Sequence, residues 1–174
     1  LLPGAKTLHG RYYTCPDIFD KEMKSIFLES WIYCCQSSDL STTSQFITIN
    51  IGSESIIILR DKKKKLHAFF NVCRHRGTRI CTDLKGNFSK SIQCGYHGWT
   101  YNLNGSLTGA PNMDKVAGFN KADYPLHSVS LQEWEGFIFI NLSEEPEEFS
   151  KAFFCRLKIT SGVPCDRRLD PGCG

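Results

Sequence analysis

No window of this 174-residue chain approaches the roughly 18 consecutive apolar residues of a membrane span. A strong charge of one sign is also missing. The net charge is +3, and no basic stripe interleaved with aromatics marks a nucleic-acid surface. Leu1-Leu2-Pro3-Gly4 carries neither the charged start nor the apolar core of a signal peptide, and without an initiator Met it reads as a cut edge. No internal repeat is present. What remains is a soluble protein with no nucleic-acid or membrane partner, long enough for one domain with its own core.

Cysteine, by contrast, is plentiful. The nine residues are odd in number and scattered, unlike a secreted disulfide framework. A reducing, cytoplasmic compartment and a metal site explain them better. Cys34 and Cys35 sit inside the apolar run Trp31-Ile32-Tyr33-Cys34-Cys35 and read as small buried hydrophobes.

Thr14-Cys15-Pro16-Asp17 has the composition of a helix start, and Ile18, Phe19, Met23, Ile26, Phe27 and Trp31 recur at helical spacing. This predicts a helix over about residues 16–30 inside an N-terminal helical segment, 1–36. Residues 46–51, 56–60 and 66–71 are rich in strand formers. Between the last two, Asp61 and Lys62 to Lys65 form a solvated hairpin turn, with a docking patch for an acidic redox partner as the second reading. Asn104-Gly105 signals a tight hairpin after a strand over 99–102, and residues 134–142 read as one buried strand. The expected fold is mostly β, a small antiparallel barrel or sandwich over residues 37–150. Residues 151–174 form an irregular tail.

The informative stretch is Cys73-Arg74-His75-Arg76-Gly77, an 18-residue gap after His75, then Cys94-Gly95-Tyr96-His97-Gly98-Trp99. Two thiolates on one iron and two imidazoles on the other is the ligand set of a Rieske [2Fe–2S] centre, and each half of this motif would donate one of each. Two ferric ions, two sulfides and two thiolates cancel formally, whereas four thiolates would leave a dianion. The neutral core accepts an electron more easily, at roughly −150 to +300 mV rather than about −400 mV. Cys73, His75, Cys94 and His97 are therefore the candidate cluster and metal ligands. Tetrahedral zinc uses Cys and His too, but zinc fingers pair Cys with Cys and His with His along the chain.

These motifs, with Thr100-Tyr101, Gly105-Ser106-Leu107 and the flanks Tyr12-Tyr13-Thr14-Cys15-Pro16-Asp17-Ile18-Phe19 and Ala122-Asp123-Tyr124-Pro125-Leu126, resemble the Rieske domain of oxygenase large subunits. That family includes ring-hydroxylating dioxygenases and the choline, betaine and carnitine monooxygenases. The resemblance spans roughly residues 11–148 and implies the Rieske fold preceded by a short helix. It implies a cluster fed by an NAD(P)H-dependent reductase or a ferredoxin. It further implies electron transfer to a mononuclear iron that activates O₂, and a homo-oligomer, a trimer, in the full-length protein. The ligating histidines of the family lie at an exposed tip, which makes Arg74, Arg76 and Tyr96 candidates for supporting or docking roles. Respiratory-type Rieske proteins add a cysteine to each loop, where this chain has Thr78 and Tyr96. Trp99 stands where they have a serine bonded to sulfur, so a potential low in the range is expected.

His9, His67 and His127 form no paired motif and read as surface or satisfied core residues. The chain stops about where the family's catalytic domain would begin, and Cys155 to Gly174 matches nothing expected there, so a truncated or partly out-of-frame end is the expectation. A stand-alone Rieske-type ferredoxin and a structural zinc module are the alternatives.

Overall fold

All five central residues of the run Glu54–Arg60 are buried, a pattern that a strand with one wet face could not carry. The computed structural model, which describes Gly4 and residues 6–155, gives the reason. This strand lies between two hydrophobic cores. Ile57 and Leu59 enter one core with Phe46, Phe69, Trp99 and Tyr101, while Ile56 and Ile58 enter the other with Leu40, Ile138 and Ile140. The period-two alternation of a strand sends neighbouring side chains to opposite faces, and here both faces are dry.

Among the described residues the strands are β1 (Ile32–Gln36), β2 (Gln45–Ile51), β3 (Glu54–Arg60), β4 (Leu66–Phe70), β5 (Lys85–Asn87), β6 (Ile92–Gln93), β7 (Thr100–Tyr101), β8 (Leu107–Gly109), β9 (Ser130–Trp134) and β10 (Phe137–Asn141). They form three antiparallel sheets, ordered β4-β3-β2-β5, β1-β10-β9 and β6-β7-β8. The four-stranded sheet is the middle layer. The mostly-β, antiparallel architecture expected from the sequence is present, with a short N-terminal helix before it.

That helix is broken into pieces. Helix α1 (Arg11–Thr14) precedes α2 (Pro16–Glu22), which runs into a wider turn over Met23–Phe27 closed by the Leu28 amide on the Met23 carbonyl at 3.0 Å. None of these residues is buried. Met23 packs closely all the same, its methyl carbon lying 2.6 Å from where a β-carbon on Gly52 would stand.

Two sequence expectations fail here. Residues 134–142 are not one strand, because Glu135 and Gly136 take φ values of 49° and 80° and fold a tight turn between β9 and β10. Two consecutive positive φ angles match the twist of a hairpin, but Glu-Gly is a weak sequence signal for it. The run Ile32–Gln36, expected within a helical segment, is a strand paired with β10. A register shift between Tyr33 and Cys35 lets both Cys34 and Cys35 pack on the second core. Burial, with the neighbouring thiol, pushes Cys34 up to about 12, and burial with Asp39 pushes Cys35 up to about 11, so both are neutral packing groups. The tail expected over 151–174 begins with a helical turn, Lys151–Cys155. Residues 156–174 lie outside the described residues.

The lysine-rich turn between β3 and β4 is held by Asp61. One carboxylate oxygen accepts from the Lys63 and Lys65 amides at 2.8 and 2.9 Å, and the other pairs with His67 Nε2 at 3.0 Å. Burial raises the Asp61 carboxyl, but the bonds from His67, Lys65 and Lys63 outweigh it and hold it below the ordinary 3.8. A depressed carboxyl stabilises the fold fully above its unfolded value and loses that contribution as pH falls through the folded one. Asp61→Asn is therefore expected to cost about 1–2 kcal/mol at neutral pH. Denaturant titrations should show the difference from the parent shrinking as the solution is acidified below that range; a gap independent of pH would contradict the assignment.

Candidate metal centre

Two six-residue loops, Cys73 to Thr78 and Cys94 to Trp99, are built alike. In each, the cysteine amide donates to the carbonyl at the loop's end, Thr78 or Trp99, at 2.8 Å. In each, the glycine amide donates back to the cysteine carbonyl at 3.0 Å. Gly77 and Gly98 close the turns at φ 71° and 73°, a conformation that strains any residue with a β-carbon. The histidine stands two places after the cysteine in one loop and three in the other. Equivalent backbones thus carry the imidazoles at offset positions.

The first loop leaves β4 and the second enters β7, so the middle sheet and the small sheet each supply one. Asn71, 1% exposed, anchors the first. Its side chain donates to Ser55 Oγ at 3.2 Å and the Cys81 carbonyl at 2.6 Å, and accepts from the Ile80 and Cys81 amides at 3.1 and 2.9 Å. Sequence reasoning misses Asn71, because a buried carboxamide with all its bonds made leaves no spacing signal.

The four candidate residues come together by type. Cys73 and Cys94 are each 2% exposed and lie within hydrogen-bonding reach of one another. The His75 and His97 rings stand 4.8 Å apart at 72°. Among the described residues no three His, Cys, Asp or Glu side chains are grouped around a single ion site. The sulfur pair is inside the core and the nitrogen pair faces outward, with His97 exposed.

Packing fixes each side chain. His75 lies flat on Trp99, 4.9 Å between centroids and 9° between planes, and Tyr96 covers His97 at 3.8 Å. Burial, then the neighbouring His97 and Arg76, lowers His75, which favours the unprotonated imidazole that a metal needs. Burial raises the Cys73 thiol, with Cys94 adding to it against the bond from Tyr101. A metal would have to deprotonate it, as metals bound by thiolates do.

Tyr101 is fully buried, and the sequence motif alone assigns it no role. Its hydroxyl is 3.3 Å from Cys73 Sγ and accepts from the Arg74 amide at 3.1 Å. Burial and the Cys73 bond raise this phenol strongly, so against a thiolate it is the donor. Arg76 and Tyr96 are exposed, while the Arg74 side chain donates from Nη1 to His127 Nε2. His67 is satisfied by Asp61, and His9 accepts from the Arg11 amide at 3.2 Å. The lysine turn lies a strand's length, roughly 15–20 Å, from the first loop, so a donor docked there would be remote from the site.

Among the described residues, the buried side-chain N and O atoms lacking any partner are Arg74 Nε and Trp99 Nε1. Both are N–H donors and both belong to these loops. A centre rich in sulfide and thiolate is the acceptor such donors fit, and the paired ligand types fit two irons. Residues 30–120 match the model of the Rieske [2Fe–2S] domain. The chain belongs to the Rieske [2Fe–2S] domain family.

The resident group of this Rieske family is a [2Fe–2S] cluster. The chain is 37% identical over 161 residues to the carnitine monooxygenase oxygenase subunit of Acinetobacter baumannii, covering 91% of this chain and 43% of the relative. It is 36% identical over 143 residues to the glycine betaine monooxygenase oxygenase subunit of Chromohalobacter salexigens, covering 82% and 32%. The crystal structure of the quaternary ammonium Rieske monooxygenase CntA with L-carnitine superposes with a TM-score of 0.79 at 36% identity, covering 90% of this chain and 45% of that one. The chain thus spans less than half the length of these relatives. No helix among the described residues is long and apolar enough to cross a membrane.

Tyr101→Phe removes the hydroxyl beside Cys73 and is expected to lower the cluster's midpoint by tens of mV, on the order of one hydrogen bond to sulfur. Redox titration checks it, and an unchanged midpoint would uncouple Cys73 from the redox centre.

Proposed function

We propose that this chain is the electron-relay domain of a Rieske oxygenase subunit, with Cys73 and Cys94 ligating one iron and His75 and His97 the other. The like-with-like pairing of the four side chains carries this reading. A zinc ion needs its ligands around one point, whereas two irons need two separate pairs. When bound, the cluster takes up and passes on single electrons.

The chain's own residues prepare that task. The dry cysteine pair and the outward histidine pair orient the centre so that an imidazole edge faces any partner. Tyr101 donates to the Cys73 sulfur, and Trp99 holds the His75 ring in plane. In the full-length protein, an NAD(P)H-dependent reductase or a ferredoxin supplies the electron. The acceptor is a mononuclear iron, held by two histidines and a carboxylate, that activates O₂ for hydroxylation. The names of the relatives support a quaternary ammonium substrate for that whole protein, and the proposal extends to a homotrimeric assembly. Similarity running through both flanks favours this over a stand-alone carrier.

Anaerobically purified protein is expected to contain about two irons and about two acid-labile sulfides per chain, and to give the EPR signal of a spin-coupled pair on reduction. Cys94→Ser should abolish both. His97→Cys should keep iron but move the midpoint toward the four-thiolate range near about −400 mV. A colourless, zinc-loaded protein would overturn the assignment.

A further inference from the structure

We propose that Arg74 is a built-in counter-charge to the reduced cluster and that His127 is the residue that positions it. The proposal rests on the ligand assignment above. Arg74 lies between two assigned ligands, Cys73 and His75, and is tied at both ends. Its amide donates to Tyr101 Oη at 3.1 Å, the hydroxyl that also sits 3.3 Å from Cys73 Sγ. Its guanidinium donates from Nη1 to His127 Nε2. Between these anchors Nε is buried and has no acceptor among the described residues.

A partly buried guanidinium normally finds a carboxylate, because an uncompensated charge away from water is costly. Arg74 has none: among the described residues the ion pair formed is His67 with Asp61. One-electron reduction of a formally neutral centre held by Cys73 and His75 puts negative charge on a group whose assigned ligands flank this cation in the chain. Attraction between the two favours the reduced state and raises the midpoint. A guanidinium has only donors, so His127 Nε2 meets it as the acceptor. His127 is exposed and 53 residues away in sequence, which makes it a strut from outside the cluster loops.

Full-chain variants test this by iron and sulfide content together with redox titration. Arg74→Gln is expected to keep its cluster and to lose about tenfold in the equilibrium constant for reduction, ~59 mV for a one-electron couple. Arg74→Lys, which keeps the charge, should lose less. His127→Leu should shift the midpoint the same way by a smaller amount, and His127→Gln, whose amide oxygen still accepts, should restore it. Parent midpoints in Arg74→Gln and His127→Leu with full iron content would overturn the proposal while leaving the ligand assignment standing. If Arg74→Gln fails to assemble, the His127 pair decides, and equal midpoints for Leu and Gln overturn it. Parent protein without iron or sulfide would instead defeat the ligand assignment itself.

Discussion

Each cysteine loop is closed by the same two backbone hydrogen bonds, and everything at the site depends on that repetition. The cysteine amide reaches the carbonyl five residues on, the glycine amide returns to the cysteine carbonyl, and the turn needs a positive φ that glycine adopts without strain. With both backbones set this way, the thiols meet inside the core and the imidazoles meet at the surface. Neither pair exists in one loop alone. The pairing therefore requires the middle sheet and the small sheet to hold their loops in register across the first core.

Burial then divides the site chemically. The sulfur side is packed among Trp99, Tyr101, Ile57 and Phe69, where a hydrogen bond or a nearby charge acts through a low dielectric. The nitrogen side is open to solvent and to partners. A buried phenol meets the Cys73 sulfur, a flat indole meets the His75 ring, and the guanidinium of the residue between them is anchored on a distant histidine. Such neighbours adjust the affinity for an electron without contributing ligands. The lysine turn and the N-terminal helix lie away from this division and serve the sandwich rather than the site.

Much of this was legible in the residues. The strands β2, β3 and β4 follow from their Ile, Thr and Phe content, and the four candidate ligands from an alternation of Cys and His that zinc fingers do not use. The supporting groups were hidden for a physical reason. Asn71, Tyr101 and His127 act through contacts 10 to 53 residues apart, and hydrogen bonding of that range has no period in the sequence. The turn at Glu135-Gly136 escaped because its conformation is imposed by the two strands it joins. Strand β1 escaped because an apolar run beside a helix carries no sign of the partner that makes it a strand.

By itself the sequence determined the candidate ligand types, their order along the chain and the glycines that let two short loops turn back, since these depend on local chemistry. Only the tertiary structure decided which candidate ligands pair, which side of the site is dry, and that the Tyr101 hydroxyl attends Cys73. Those outcomes depend on two sheets packing across a common core, and no segment of the chain contains both.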